Sequence, residues 1–217
     1  MSSRARGRPS ASEPTVATEA LLDRALEMFA ANGFDGMSVR ELAREVGVSH
    51  NLIPQRIGSK EQLWFAAIDR GFGSLAIALA QAIAEQRDEA DDLVRLRALL
   101  VRWVEANTTR PALLRIINQE ATAPGPRLDY LFDRYIAPVR EFGDELLARL
   151  AKDGKVRTSS APMMYFLMTH GAGGPFILPA LAARFGTQLD PSDSAAIHEH
   201  AVAVSELIFD GLVGPNR

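Results

Sequence analysis

SVRELAREVGVSHNLIPQRI, residues 38–57, is the stretch that decides the fold. Ser38 and Glu41 form an S-x-x-E capping box, which opens a short helix by satisfying backbone N–H groups that lack partners in a first turn. Ala43 supplies a small residue where two helices must touch, and Gly47, four residues on, supplies the turn. Ser49 is placed to cap the next helix. Val39, Leu42, Val46, Val48 and Ile53 are spaced to lock the pair together. A random amphipathic helix pair meets a few of these requirements. Meeting all of them predicts a helix-turn-helix, whose second helix enters a DNA major groove.

Working outward, the spacing predicts a preceding helix over residues 16–32, with Leu21, Leu22, Ala25, Met28 and Phe29 on one face and Asn32-Gly33 as its stop. Downstream, Ser59 and Gln62 make a second capping box, at the head of a long helix over 60–86. Further helices are predicted over 91–108, 110–121, 126–151, 160–183 and 192–212, with Pro175 kinking the fourth of these. No alternating strand pattern is present. The expected fold is all-α, a three-helix helix-turn-helix domain joined to a larger helical domain.

From Ala20 to Trp64 the chain resembles the TetR family of bacterial regulators, on the runs ALLDRALEMFAANGFDGMSVRELAREVGVS and GSKEQLW. The resemblance implies a DNA-binding domain over 15–62 and an effector-binding and dimerisation domain over 63–217. It also implies a phosphate contact by Lys60, and physical chemistry agrees. A lysine in the first turn of a capped helix puts its charge beside free N–H groups, and both attract phosphate. Where the family has aromatic residues late in the recognition helix, this chain has Pro54, Arg56 and Ile57. Proline in a helix interior loses a hydrogen bond and clashes with the carbonyl four residues back, at about 3 kcal/mol. The recognition helix must therefore be short or bent. Arg56 stands where it could replace the family's tyrosine.

The polar residues of this segment are the candidate DNA contacts. His50 and Asn51 lie at the end of the recognition helix that meets base edges, with Ser49, Gln55 and Arg56 beside them. Asn and Gln pair bidentately with adenine, and Arg with guanine. Ser38 and Arg40 suit the phosphate backbone.

Charge alone would not have pointed to DNA. The 217 residues carry a net charge of −3, with +1 on residues 1–60 (eight Lys/Arg, seven Asp/Glu) and −4 on the rest. Arg4, Arg6 and Arg8 lie in a Ser-, Gly- and Pro-containing segment, residues 1–14, expected to be a disordered basic arm. The absence of cysteine removes disulfides, thiolate zinc sites and a cysteine nucleophile. No apolar stretch is expected to span a membrane; the nearest, Met163 to Leu181, is broken by Gly171, Gly173, Gly174, Pro175 and Pro179. With no apolar run after the first arginines, no secretory signal is expected, and the location implied is cytoplasmic. No catalytic, cofactor or metal pattern emerges. His198 and His200, two residues apart, point to different sides of a helix.

In the C-terminal half, Trp103, Asn107, Glu120, Tyr135, Phe166 and His170, with Tyr130, put aromatic and polar groups on apolar helices, the mixture a small amphipathic effector requires. Taken singly, each also fits an ordinary core or surface residue. Ile197, Ala201, Val204, Leu207 and Ile208 form one stripe, and the last two helices could pair across a two-fold axis as a four-helix interface. The resulting expectation is a homodimeric regulator on a double-stranded DNA operator, most simply a repressor modulated by a small-molecule effector. The alternative is a helical protein-interaction module that has lost DNA binding, a reading to which Pro54 and the acidic balance lend some weight.

Overall fold

The computed structural model describes residues 13–86, 88–157 and 161–213, and among them every regular element is helical. Contacts divide the chain into two compact units, Met1–Gly71 and Phe72–Arg217.

The first unit begins with α1 (Glu13–Gly36), which is broken at Gly33, where φ is 70° and ψ 173°. Only glycine adopts that conformation without strain, so the predicted stop at Asn32-Gly33 is where the helix breaks. The basic-arm expectation for residues 1–12 lies outside the described residues. Its last two residues, Glu13 and Pro14, belong to α1 instead, since proline and an acidic residue are both favoured in a first helical turn.

Next come α2 (Val39–Glu45), α3 (Leu52–Arg56) and α4 (Lys60–Glu85). Leu21, Ala25, Met28 and Phe29 from α1, Leu42 and Ala43 from α2, Ile53 from α3, and Leu63, Trp64, Ala67 and Ile68 from α4 are buried. Each large apolar side chain so buried contributes about 1.5–3 kcal/mol. The boundary between the units falls inside α4, so the α4 residues just named belong to the N-terminal core, not to a domain starting at residue 63.

By length and composition α4 could cross a membrane, with a mean hydropathy of 1.4 over its most apolar window. This corrects the expectation that no stretch is long and apolar enough and that 163–181 comes nearest. The apolarity has a structural reason: α4 supplies buried residues to the first unit and, through Phe72, Leu75 and Ala82, to the second.

The second unit is built from α5 (Asp92–Thr108), α6 (Pro111–Glu120), α7 (Pro126–Leu131), α8 (Ala137–Lys152), α9 (Ala161–Phe166), α10 (Gly174–Ile177), α11 (Pro179–Arg184) and α12 (Ser194–Val213). Leu96, Leu100 and Val104 of α5 pack with Leu146, Leu147 and Leu150 of α8, Met164 and Met168, and Ala201 and Leu212 of α12 in one core.

Two π-helical segments interrupt what the sequence suggests are continuous helices, at Phe132–Ile136 and Leu167–Ala172. The first runs up to Pro138, which cannot donate to the carbonyl four residues back, so the local ladder widens there. The helix expected over 160–183 is accordingly not one kinked rod. It ends at Ile177, breaks at Leu178 (φ −117°, ψ 57°) and restarts at Pro179. Pro175 sits in the first turn of α10, where its missing N–H costs nothing.

The apolar stripe proposed for the last helix is also corrected. Ile197, Ala201, Ser205 and Leu212 face the core, whereas Leu207 is 77% exposed on another side of α12.

Candidate nucleic-acid interface and helical-domain cavity

The turn between α2 and α3 is built from backbone hydrogen bonds that the sequence dictates. Gly47 takes φ 70°, and the Val48 N–H reaches back to the Ala43 carbonyl at 2.9 Å, the six-to-one bond of a helix ended by a left-handed glycine. Ala43 is buried at the crossing. Ser38 caps α2 by accepting from the Glu41 N–H at 3.3 Å. The box is only half formed, because the Glu41 carboxylate binds Arg44 at 2.8 Å instead of reaching back. The second box is complete: Ser59 Oγ accepts from the Gln62 N–H at 3.1 Å, and Gln62 Oε1 accepts from the Ser59 N–H at 2.8 Å.

Pro54 shortens the recognition helix and does not bend it. Of the five residues of α3, Pro54 is the third, so its missing N–H falls among those that find no partner in any first turn. A turn precedes the helix, with the Leu52 N–H bonded to the Ser49 carbonyl at 2.9 Å. The N-cap is therefore Asn51 without a side-chain cap bond, which corrects the assignment of that role to Ser49.

Ser49, His50, Asn51, Gln55 and Arg56 are all exposed, as is Arg40 on α2; Ser38 is half-buried in its capping role. Among the described residues the side chains of Arg40, His50, Asn51, Gln55 and Arg56 take no hydrogen bond or ion pair. Arg44, Arg24 and Arg70, by contrast, are paired with Glu41, Glu45 and Asp23. Hydrogen bonds to these carboxylates raise the pKa of Arg24 and of Arg70, against a smaller opposing effect of desolvation. Lys60 is half-buried, its ammonium 3.1 Å from the Asp35 carbonyl and 5.0 Å from the centre of the Phe34 ring. The basic groups of the first unit thus divide into those tied down within the protein and those presented on and beside α3.

In the second unit five of the residues singled out in the sequence, Trp103, Asn107, Tyr135, Phe166 and His170, fall on three adjoining cavities. One of about 120 Å³ lies against Trp103, Phe142 and Leu146; one of about 40 Å³ against Trp103, Asn107 and Tyr135; one of about 270 Å³ against Phe132, Phe166 and His170. Tyr165 lines all three. Sequence reading missed it, along with Arg140, because neither breaks the helical pattern in which it sits. Asn107 is buried with its amide donating to the Trp103 carbonyl at 2.9 Å. Glu120 lines none of the three cavities and accepts from Arg127 Nε at 2.8 Å, so the structure does not bring it to the others. Tyr130 stacks edge-on against Tyr135.

Burial pushes the Tyr165 hydroxyl up to about 12, and the Thr169 hydroxyl, outside hydrogen-bonding geometry, is a smaller opposing influence. His198 pairs with Glu105 at 2.6 Å and His200 with the Ala172 carbonyl at 2.9 Å, each on its own side of α12.

The N-terminal geometry defines a helix-turn-helix protein of the DNA-binding class. Residues 21–67 match the N-terminal domain of "Bacterial regulatory proteins, tetR family". An HTH-type transcriptional regulator, BetI, of Rhizobium meliloti (strain 1021) is 37% identical over 84 residues, 37% of this chain. The match spans 41% of that curated relative's length. In fold, the chain is similar to the ketosteroid transcriptional regulator KstR2 of Mycobacterium tuberculosis (TM-score 0.69, 20% identity, 98% of this chain and 100% of that one). It is also similar to AibR, solved with isovaleryl coenzyme A and operator DNA (TM-score 0.63, 18% identity, 92% and 100%). The family match thus covers the helix-turn-helix unit, and the likeness in fold extends over the rest of the chain.

Proposed function

We propose that this chain is a transcriptional regulator that grips an operator through α2, α3 and the start of α4, and whose DNA affinity is set by a small molecule held in the second unit. The observation that carries this is the set of polar side chains on and beside α3, exposed and without protein partners, on a helix-turn-helix whose turn is fully hydrogen-bonded. His50, Asn51, Gln55 and Arg56 read base edges in this proposal, and Ser38, Arg40, Ser49 and Lys60 hold the phosphate backbone.

Trp103, Asn107, Tyr135, Phe166 and His170 are the proposed effector contacts, because they line the cavities. The AibR complex, with an acyl thioester and operator DNA both bound, is a precedent for that coupling in a protein of this fold. Repression is the simplest mode, by occlusion of the promoter.

The proposed assembly is a homodimer. Exposed apolar residues on the last helical stretches, Leu178, Leu181 and Phe185 on and beside α11 and Leu207 on α12, support it. A two-fold dimer would present two α3 helices to a near-palindromic operator with half-sites about 34–36 Å apart.

Footprinting on the DNA upstream of the chain's own gene tests the reading. A protected, near-palindromic site whose occupancy falls steeply with salt is the expected result. Binding to DNA that is weak and indifferent to sequence would instead favour the protein-interaction module.

A further inference from the structure

Among the described residues of the second unit Arg95 and Arg140 each have an Nε buried without a hydrogen-bond partner, and of the two Arg140 is the one that lines the cavities. It is half-buried on α8, its Nε is shielded from solvent without a hydrogen-bond partner, and no carboxylate lies within ion-pairing distance among the described residues. An Nε–H buried without an acceptor is unfavourable, while the terminal nitrogens of the guanidinium stay open to one. The surroundings sharpen the point. Arg140 and Tyr165 are the two residues that line both the 120 Å³ and the 270 Å³ cavities, whose other walls are almost wholly aliphatic and aromatic. The Tyr165 hydroxyl, the Trp103 indole N–H and His170 Nδ1 are likewise buried without hydrogen-bond partners. One positive charge, with further orphaned polar groups on the walls, thus sits where two apolar lobes meet.

We infer that these cavities receive an apolar monocarboxylate, its carboxylate on the Arg140 guanidinium and its hydrocarbon body along the lobe walls. A guanidinium offers two parallel N–H groups in the spacing a carboxylate accepts, and such a charge-assisted pair strengthens where water is excluded. The Tyr165 hydroxyl, buried without a partner of its own, is a second donor to the same head group. A single arginine balances a single negative charge, which favours a monoacid over a phosphate ester. The inference rests on the effector reading of the second unit and names the chemistry of that effector.

Isothermal titration of the purified full chain with decanoate and with 4-phenylbutyrate, each beside its neutral alcohol, tests it. Saturable binding of one molecule per chain, with at least one acid at least tenfold tighter than its alcohol, is expected. Arg140→Met should weaken the acid by about 10- to 100-fold and leave the alcohol unchanged. Arg140→Lys, which keeps the charge, should retain more of the acid's affinity, so a folding defect in the first variant does not end the test. Decanoyl-coenzyme A is the arm that separates a free acid from a thioester, and tighter binding of the thioester than of the acid would overturn the inference. So would acids that bind no better than their alcohols, or an acid affinity indifferent to Arg140→Met. DNA binding is measured on the same preparation. Its loss with acid preference intact counts against the regulator reading, and the converse counts against this one.

Discussion

The Lys60 ammonium donates to the Asp35 carbonyl, 3.1 Å away, across the gap between the last turn of α1 and the first of α4. That bond uses one of three N–H groups and aims the charge without neutralising it, because the acceptor is a neutral carbonyl. A positioned, uncompensated cation beside the capped N-terminus of α4 suits a phosphate. Lys60→Ala should therefore weaken binding by a similar factor on specific and non-specific DNA. The slope of log affinity against log salt should fall by about one. A loss confined to the specific site would show that Lys60 does not act on the backbone.

Asn51 should behave in the opposite way. It caps α3 by position only, with no side-chain bond to its own helix, so its amide is available for a base. Asn51→Ala should cost about 1–3 kcal/mol on the specific site, relax selectivity at one base pair, and leave the salt slope unchanged. Binding to a panel of single-base operator variants distinguishes this from a backbone contact.

Pro54 gives a stability prediction whose size depends on where the helix starts. Within a first turn, proline mainly restricts the unfolded chain, so Pro54→Ala should destabilise the protein by about 0.4–1 kcal/mol in urea denaturation. A variant more stable by about 3 kcal/mol would mean that Pro54 strains a helix interior.

These residues also mark how far the sequence could be read. The helix-turn-helix was legible because its parts are local: a capping serine, a small residue at the crossing and a glycine in the turn lie within ten residues of one another. That α3 is short rather than bent was not legible, since Pro54 fits either, and the answer lies in a turn from Ser49 to Leu52 with no side-chain signature. In the second unit the helices were legible by period but the π-helical segments were not, because a proline can kink, widen or restart a helix with one local sequence. Trp103, Asn107, Tyr135, Phe166 and His170 reached cavity walls; Glu120 did not, because its destination depended on Arg127, seven residues on. Arg140 escaped notice for the same reason in reverse. An arginine on a helix is ordinary until tertiary packing surrounds it with apolar walls.

Gly173 tests the packing that shapes the second unit. A Cβ there would stand 2.1 Å from the Thr169 carbonyl oxygen and 3.1 Å from Leu114 Cδ1, so backbone would have to move. Gly173→Ala should destabilise the protein by about 1–3 kcal/mol, the usual cost of overpacking. Gly171→Ala, with nothing within 4 Å of the added carbon, is the matched control and should have little effect on the melting temperature.

The Tyr165 hydroxyl makes stability depend on alkaline pH. Burial raises its folded-state pKa to about 12, above the ordinary value of 10.0, so in this window the unfolded chain releases the proton more readily than the folded one. The unfolded state then binds fewer protons, and stability falls as pH rises from about 10 towards 12. Below pH 10 both states hold the proton and the contribution is constant. Urea denaturation at pH 9 and at pH 11 should therefore show a larger alkaline loss for the wild type than for Tyr165→Phe, which cannot ionise. Comparing the two proteins cancels the shared titration of the lysines and the remaining tyrosines. Equal losses would mean that the hydroxyl is hydrated in the folded state, and a hydrated Tyr165 would be a poorer donor for a ligand carried by Arg140.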